Sequence, residues 1–535
     1  MYIDKNATLR VDPEKYYNDA YDMVNLFYKG KISRGAAEAA SENSVGNYAP
    51  EAAGENFAPE VSRENFAPEA ASEGADIITI KMTNGLISIR IGGFAGFISD
   101  TGTGDGPARA YTLKMALYKL LKTRAREGRE AEPAPQWGAL VGVRPVKMYA
   151  KLLDGGLTGV QAAAEMARLY DVSAGASELC VRIAGAQRAV LRRYDPDRDY
   201  MLYAGVPFCT TKCAYCSFPS DAHNKAGLYA RPYIGALARE LAFCAERMRG
   251  AGRRLKALYV GGGTPTALDR DDLERLIGAI IAAYPGEQPD EWTIEAGRAD
   301  TIDRDKLTAI KRAANHTANL RLCINPQTMN SKTLELIGRG HTPEDVAAAF
   351  KLARSLGFGN INMDVIAGLP GEGLRDFENT LDRVADLNPD SFTSHTLCIK
   401  RSSRLNEFYG RYSYPDAECV AAMHEAARRR AGLWGMEPYY LYRQKNTVGG
   451  LANVGYARKN GACIYNIHEM ADRVDVIAVG AGAVTKLTNN STGAIERVFN
   501  VKNLLEYISR IDEMIERKTG ALIRRAEILE RGCYK

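Results

Sequence analysis

Three cysteines near the middle of the chain carry the most chemistry. Cys209, Cys213 and Cys216 stand in Tyr203-Ala-Gly-Val-Pro-Phe-Cys-Thr-Thr-Lys-Cys-Ala-Tyr-Cys-Ser-Phe218, a C-x3-C-x2-C spacing. Thiolates so close on one loop can face a single inorganic centre. Iron–sulfur clusters are usually held by four thiolates. Three leave one iron of a [4Fe-4S] cube without a protein ligand, open to a small molecule that can accept an electron. The same thiols could instead hold zinc, with His223 or a distant cysteine as fourth ligand. They could also be unrelated buried thiols, since free cysteine is a common core residue.

The elements around them are strands alternating with helices. Strand-like runs fall at 201–206, 257–260, 292–295, 320–324, 361–366 and 391–397, separated by amphipathic helical stretches such as 233–247 and 271–283. Six such βα units predict a parallel sheet rolled into an open barrel, with chemistry at the C-terminal ends of its strands. Motifs fall there. Gly261-Gly-Gly-Thr-Pro-Thr266 follows the second strand and Glu295 ends the third. Gln327 follows the fourth, Arg339 lies in Ile-Gly-Arg-Gly-His-Thr342, and Asp364 stands in Asn-Met-Asp-Val-Ile-Ala-Gly-Leu-Pro370. Taken singly, each is also what a turn, a salt bridge or a helix cap requires.

The cysteine loop, with an aromatic residue before its third cysteine and an apolar strand before its first, resembles the cluster loop of the radical S-adenosylmethionine (radical SAM) superfamily. The GGGTPT run resembles that superfamily's GGE-type motif in the form seen in the coproporphyrinogen-oxidising branch. The resemblance implies a [4Fe-4S] cluster on Cys209, Cys213 and Cys216, and SAM held at its methionine end by Gly262, Gly263 and Thr264. By the same resemblance Glu295, Gln327 and Asp364 meet ribose and amine groups. Arg339 suits a carboxylate through its planar fork, and Tyr203 and Tyr215 pack near the sulfonium and adenosyl groups. Further segments resemble the HemZ group, relatives of HemN, the oxygen-independent coproporphyrinogen III dehydrogenase. They are Trp137-Gly with Gly142-Val-Arg-Pro145, TIEAGR, INPQ, INMDVIAGLPGEG, HTLCIKR and PYYLYRQKN, and the match covers about residues 76–486. Two positions depart from HemN: its histidine before the first cysteine is Gly205 here, and its additional cysteine is Phe218. HemN holds two SAM molecules; these departures leave one SAM implied here and a second open.

What the resemblance implies is an anaerobic oxidoreductase of haem biosynthesis. Electron transfer to SAM would yield a 5′-deoxyadenosyl radical that removes a β-hydrogen from a substrate propionate. Loss of CO2 and one electron then leaves a vinyl group, and two rounds give protoporphyrinogen IX. The implied partners are a porphyrinogen or haem and a reductant protein such as flavodoxin or ferredoxin. Related HemW proteins keep the cluster motif as haem carriers, so a haem-binding chaperone, or another haem-linked radical SAM reaction, is the rival reading. A flat macrocycle with four propionates needs cations beside aromatic walls. Tyr439, Tyr440, Tyr442, Arg443 and Lys445 offer both in one stretch, and Lys400, Arg401 and Arg404 lie just past the sixth strand. The same stretch also reads as a half-buried aromatic strand with solvated basic neighbours. Residues 453–456 and 479–486 are further candidate lining.

The rest of the chain frames this centre. At 535 residues it is long enough for several domains. The expected fold class is α/β: a partial (βα)6 radical SAM barrel at 200–400, a small N-terminal α+β domain at 1–150, a helical linker at 151–199, and a HemN-like, substrate-covering extension at 401–535. In the N-terminal domain, alternating runs at 77–83 and 86–92 flank Asn84-Gly85, a hairpin signal. Leu113, Leu117, Leu120 and Leu121 then share one side of a helix at 111–126. Further helices are expected at 158–170 and 175–193. Segment 35–75 repeats Asn47-Tyr-Ala-Pro-Glu, Asn56-Phe-Ala-Pro-Glu and Asn65-Phe-Ala-Pro-Glu. It has too little apolar surface to offset ordering and reads as a disordered insertion, with a repeated partner-binding motif as the alternative. A net charge of +5 argues for neither nucleic acid nor membrane. The start, Met-Tyr-Ile-Asp-Lys-Asn, has no apolar signal region, and no run approaches the ~20 residues of a membrane span. Ten cysteines, scattered apart from the one cluster, fit a reducing cytoplasm.

Overall fold

The computed structural model describes residues 7–12, 14–27, 32–34, 76–83, 86–91, 94–99, 107–126, 135–142, 144–218, 221–400, 402–445 and 447–532. The repeats at 35–75, the Asn84-Gly85 turn and Arg401 lie outside the described residues. The chain divides into two compact units, residues 1–142 with 157–178, and residues 143–156 with 179–535.

The first unit holds β1 (Ala7–Asp12), β2 (Ile32–Arg34), β3 (Asp76–Thr83), β4 (Leu86–Ile91) and β5 (Phe94–Ser99), in the order β2-β1-β3-β4-β5. β3 and β4 pair antiparallel, as the hairpin signal predicts, and β1 runs parallel to both its neighbours. The helix Pro107–Arg126 sets its leucine stripe, Leu113, Leu117, Leu120 and Leu121, into one core with Ile78, Ile80, Ile87 and Ile89. A 3.6-residue period thus meets a period of two. Helix Gly159–Tyr170 follows. Gly138 has a φ of +51°, and a Cβ there would lie 1.9 Å from the Tyr170 carbonyl oxygen, so the Trp137-Gly138 turn tolerates only glycine.

The second unit is built on one eleven-stranded sheet. β6 (Asp199–Val206) is followed by a short parallel pair, β7 (Phe208–Cys209) and β8 (Asp221–Ala222). Then come β9 (Arg254–Gly262), β10 (Glu291–Glu295), β11 (Leu320–Cys323), β12 (Asn360–Ala367) and β13 (Ser391–Thr396). β6 and β9 to β13 are the six expected strands, parallel and side by side in chain order. Right-handed crossovers between strands in strict order place the helices on one side of the sheet. The sheet then curls over its other face, giving an open, partial (βα)6 barrel. The crossover helices include His223–Gly250, Arg270–Ala283, Arg304–Lys311, Pro343–Ser355 and Leu374–Leu387. Asp269, Asp303 and Thr342 each cap one by accepting the N–H three residues on.

Both edges of the barrel are extended. β14 (Glu437–Arg443) and β15 (Ala452–Ala457) add antiparallel beyond β13. On the other side β16 (Asp475–Val479) runs parallel to β6, followed by antiparallel β17 (Val484–Thr488) and β18 (Ile495–Phe499). No helix among the described residues is long and apolar enough to cross a membrane.

Candidate active site

The cysteine loop leaves the end of β6 and is pinned from three directions. Gly263 N donates to Val206 O at 2.8 Å and Thr264 N to Phe208 O at 2.7 Å. A Cβ on Gly263 would sit 2.3 Å from Phe208 O, and one on Gly262, at φ +113°, 2.9 Å from Val206 N. The glycine run therefore exists partly to let two strand ends touch. It also brings Thr264 Oγ1 within 3.3 Å of Cys209 Sγ. Further along, Ala214 N donates to Ile337 O, Thr211 Oγ1 to Gly338 O, and Leu405 N to Ala214 O. Tyr215 packs with Ala214, Ile337, Ile366, Leu369, Leu397 and Leu405, which anchors the loop from below.

The three thiols are not equivalent. Arg298 Nη1 donates to Cys213 Sγ at 3.4 Å, and Arg339 Nη1 reaches it at 3.8 Å. Burial opposes ionisation of Cys213, yet the two guanidiniums outweigh it and hold the thiol below its ordinary range. Burial raises Cys209 and Cys216. Arg339 also donates through Nη2 to Gly297 O at 2.7 Å and to Asn325 O. Its guanidinium is thus fixed between the cysteine loop and the ends of β10 and β11. Its Nε has no partner among the described residues.

At the strand ends the polar groups converge. Glu295 Oε2 accepts from Asn325 Nδ2 at 3.0 Å, and Oε1 accepts from the Tyr259 hydroxyl. Burial, reinforced by the nearby Asp364 charge, pushes the Glu295 carboxyl up to about 7. Burial acts the same way on Asp364, but His395 and Asn362 outweigh it and hold that carboxyl low. His395 Nε2 lies 3.4 Å from Asp364 Oδ2, and its Nδ1 lies 3.3 Å from the Tyr442 hydroxyl. Gln327 has a φ of +67°, unusual for a residue with a Cβ. It is held there by Gln327 N to Asp364 O and Ile366 N to Gln327 O. Gln327 Oε1 and Asn325 Oδ1 are buried without partners among the described residues. Backbone strain beside unmatched acceptors is the pattern of a binding site. Tyr203 stacks on Tyr259 at 6.3 Å, and Tyr465 closes on Tyr259 at 5.0 Å, making an aromatic wall next to Glu295.

The basic-aromatic stretch divides by strand face. Tyr440 and Tyr442 stack at 6.2 Å on β14; Tyr440 Oη is 3.3 Å from Thr393 Oγ1, and Tyr442 meets His395. Tyr439 packs at a tilt of 49° against Tyr440 and joins the same core as Tyr465. Arg443, one residue past Tyr442, projects to the other face. There its Nε and Nη2 donate to Gly450 O at 3.2 and 3.0 Å, and burial pushes it down to about 10. Lys445 is exposed. Lys400 and Lys212 lie near enough for their charges to favour ionisation of Cys216. The structure thus gathers Tyr203, Gly262–Thr264, Glu295, Gln327, Arg339, Asp364, Tyr440 and Tyr442 about the strand ends, and it leaves Arg443 apart from them.

Sequence reasoning passed over Arg298, Asn325, Tyr259, His395 and Tyr465. Tyr259 was findable: it stands two residues before Gly261 and pairs in register with Tyr203. Arg298 lies within TIEAGR. Tyr465 arrives from the helix Ile464–Ala471, far along the chain, and carries no local signal.

Residues 203–384 match the model of the Radical SAM superfamily, which implies a [4Fe-4S] cluster and SAM. The residues present fit both groups. Cys209, Cys213 and Cys216 stand on one loop as free thiols, and two guanidiniums are directed at the middle sulfur. The His223 side chain lies outside the described residues. The unmatched atoms of Asn325, Gln327 and Arg339 face a polar ligand's needs at the strand ends. Over 385 residues, 72% of the chain and 76% of the relative, the protein is 36% identical to the oxygen-independent coproporphyrinogen-III oxidase-like protein HemZ of Bacillus subtilis (strain 168). It is 30% identical to the heme chaperone HemW of the same organism over 45% of the chain and 62% of that relative. The solved structure of coproporphyrinogen III oxidase (HemN) from Escherichia coli, a radical SAM enzyme, overlays 62% of the chain and 72% of its own at a TM-score of 0.47, with 24% identity. On the sequence relationship and the family match, the chain belongs to the radical SAM superfamily, within the group of HemN-, HemZ- and HemW-like proteins.

Proposed function

We propose that this protein is an oxygen-independent coproporphyrinogen III dehydrogenase, a cytoplasmic radical SAM oxidoreductase that turns substrate propionates into vinyls on the way to protoporphyrinogen IX. The observation that carries the reading is the juxtaposition of two tyrosine faces, Tyr203–Tyr259–Tyr465 and Tyr440–Tyr442, with the polar strand ends beside the three-cysteine loop. A flat, apolar macrocycle with charged arms needs such a combination.

When bound, the reduced cluster and SAM supply one electron and a carbon-centred radical able to remove a propionate β-hydrogen, after which CO2 and an electron leave. Cys209, Cys213 and Cys216 would hold the cluster. Gly262, Gly263 and Thr264 would take the methionine end of SAM, with Arg339 Nε as the donor left for its carboxylate. Glu295, Gln327 and Asp364 would meet ribose and amine groups, and Tyr203 would pack on the adenosyl side. Tyr215 would orient the loop from its apolar seat. Tyr440 and Tyr442 would face the macrocycle, while Lys400, Arg401 and Lys445 would supply cations for propionates. Arg443 would brace β14 from behind. The extension at 401–535 would cover the substrate and exclude water. A flavodoxin- or ferredoxin-type protein would deliver electrons.

The test is an anaerobic assay of reconstituted protein with SAM, reductant and coproporphyrinogen III. Vinyl products that require both SAM and reductant support the proposal. A protein that binds haem tightly yet forms no vinyl product under those conditions is a carrier of the HemW kind.

A further inference from the structure

Arg298 is a buried charge that the roles above leave unused. Its side chain is only 2% exposed. Nη1 donates to Cys213 Sγ and to Thr211 O, each at 3.4 Å. Nε and Nη2 donate to the two oxygens of Asp300, both at 3.1 Å, a two-point pairing that fixes the plane of the guanidinium. Asp300 accepts a further hydrogen bond from Thr210 Oγ1 at 3.0 Å, and His341 Nδ1 lies 3.5 Å away. A Cβ on Gly340 would come within 3.2 Å of Asp300 Oδ2 and 3.4 Å of Arg298 Nη2, so the 338–341 loop closes directly over the pair. The pair therefore grips Thr210 and Thr211, two of the three residues between the first and second cysteines, while presenting one N–H to the middle sulfur.

Burying a guanidinium is costly unless it is paired and fully directed. Asp300 supplies the pairing, and the direction is toward Cys213. Arg339 already bridges the strand ends to the same sulfur, so a second arginine is not needed to close the loop mechanically. What it adds is charge and a hydrogen bond at one cluster ligand, and both are levers on reduction potential. Reduction adds negative charge to the cluster. A nearby guanidinium favours that state, and the Asp300 carboxylate moderates it.

We propose that Arg298, locked by Asp300, is a positioning residue that sets the reduction potential of the cluster held by Cys209, Cys213 and Cys216. This rests on the cluster assignment above. It makes opposite predictions for the two partners, which a merely structural pair would not. Wild type, Arg298→Gln, Arg298→Lys and Asp300→Asn are reconstituted anaerobically as full-length chains. Iron and sulfide are counted, and the reduced cluster is followed by electron paramagnetic resonance during potentiometric titration. With iron content equal to wild type, Arg298→Gln should lower the reduced-to-oxidised ratio about tenfold at the wild-type midpoint, a downward shift of about 59 mV for one electron. Arg298→Lys should recover most of it. Asp300→Asn should move the midpoint upward, because it leaves the Arg298 charge uncompensated. An iron-replete Arg298→Gln with the wild-type midpoint overturns the proposal, as do two shifts of the same sign. If Arg298→Gln does not fold or hold iron, Asp300→Asn decides: an upward shift supports the proposal and no shift overturns it. A wild type that holds no iron refutes the cluster assignment itself, a result distinct from an iron-replete protein with unmoved potentials.

Discussion

Glu291 and Glu295 stand at the two ends of β10 on the same face, about 13 Å apart at the usual rise of a strand. At the lower end Glu291 is fully buried and saturated. It accepts from Ile464 N at 2.9 Å and from Tyr465 N, Cys463 Sγ and Thr293 Oγ1, each at 3.2 Å. It thereby caps the helix Ile464–Ala471 and ties a distant segment to the barrel floor. At the upper end Glu295 has, among the described residues, Tyr259 and Asn325 as donors and faces another carboxylate, Asp364. One residue type on one strand serves the fold where its hydrogen bonds are complete and, in the proposed function, meets a ligand where they are not.

The strongest way to break that contrast is Glu291→Ala. It leaves four donors unmatched in the interior, two of them at a helix N-terminus. The expected loss is about 3–5 kcal/mol, the scale for removing one member of a buried charged network. A urea titration checks it, and a loss below ~1 kcal/mol would put Glu291 outside the framework.

Next is the pH behaviour of Glu295. Its folded carboxyl titrates at about 7 against an ordinary value of 4.5. At this group the native state then binds more protons than the unfolded chain between those values, so the Glu295 contribution to stability is fully present below 4.5 and is lost as pH rises through 7. Glu295→Gln should remove that slope. The difference between wild type and variant should change by at most about 3 kcal/mol across the window, from the free-energy equivalent of a pKa shift. Parallel stability curves for the two proteins would contradict the assignment.

Gly263→Ala tests the same contrast at the cysteine loop. The new Cβ meets the Phe208 carbonyl at 2.3 Å, and backbone must give way. Overpacking of this kind costs about 1–3 kcal/mol. The displaced Cys209 should show as a loss of most bound iron after reconstitution, and full iron retention would mean that the loop is less constrained than its geometry.

The smallest effects sharpen the two faces of β14. Tyr442→Phe removes the contact to His395, a loss of about 1 kcal/mol, and should slow turnover several-fold with little change in Tm. Arg443→Met should do the reverse, lowering Tm through the lost bonds to Gly450 while turnover persists. Equal turnover defects in both would place both residues at the substrate.

The barrel was legible because buried parallel strands read as apolar runs, and each of the six falls within a few residues of its expected place. The site's polar ends were legible because Glu295, Gln327 and Asp364 interrupt or terminate those runs. The orientation of Arg443 was not, since strand β14 carries an irregularity between Pro438 and Tyr440 that composition does not announce. The buried Cys323 accepts a hydrogen bond from the buried Arg321 at 3.2 Å, a pairing two residues apart on β11 that no motif marks. Arg298 ends the TIEAGR segment, but its partner sulfur lies 85 residues away in the chain, and only the fold joins them.

The most direct test of the central claim, that the upper ends of these strands hold the SAM-dependent site, is an anaerobic calorimetric titration of SAM into reconstituted wild type and Glu295→Ala. Wild type should bind SAM, and the variant, with equal iron content, should bind about tenfold more weakly or worse, a difference of about 1.4 kcal/mol. Equal SAM affinity in two proteins with equal iron would contradict it.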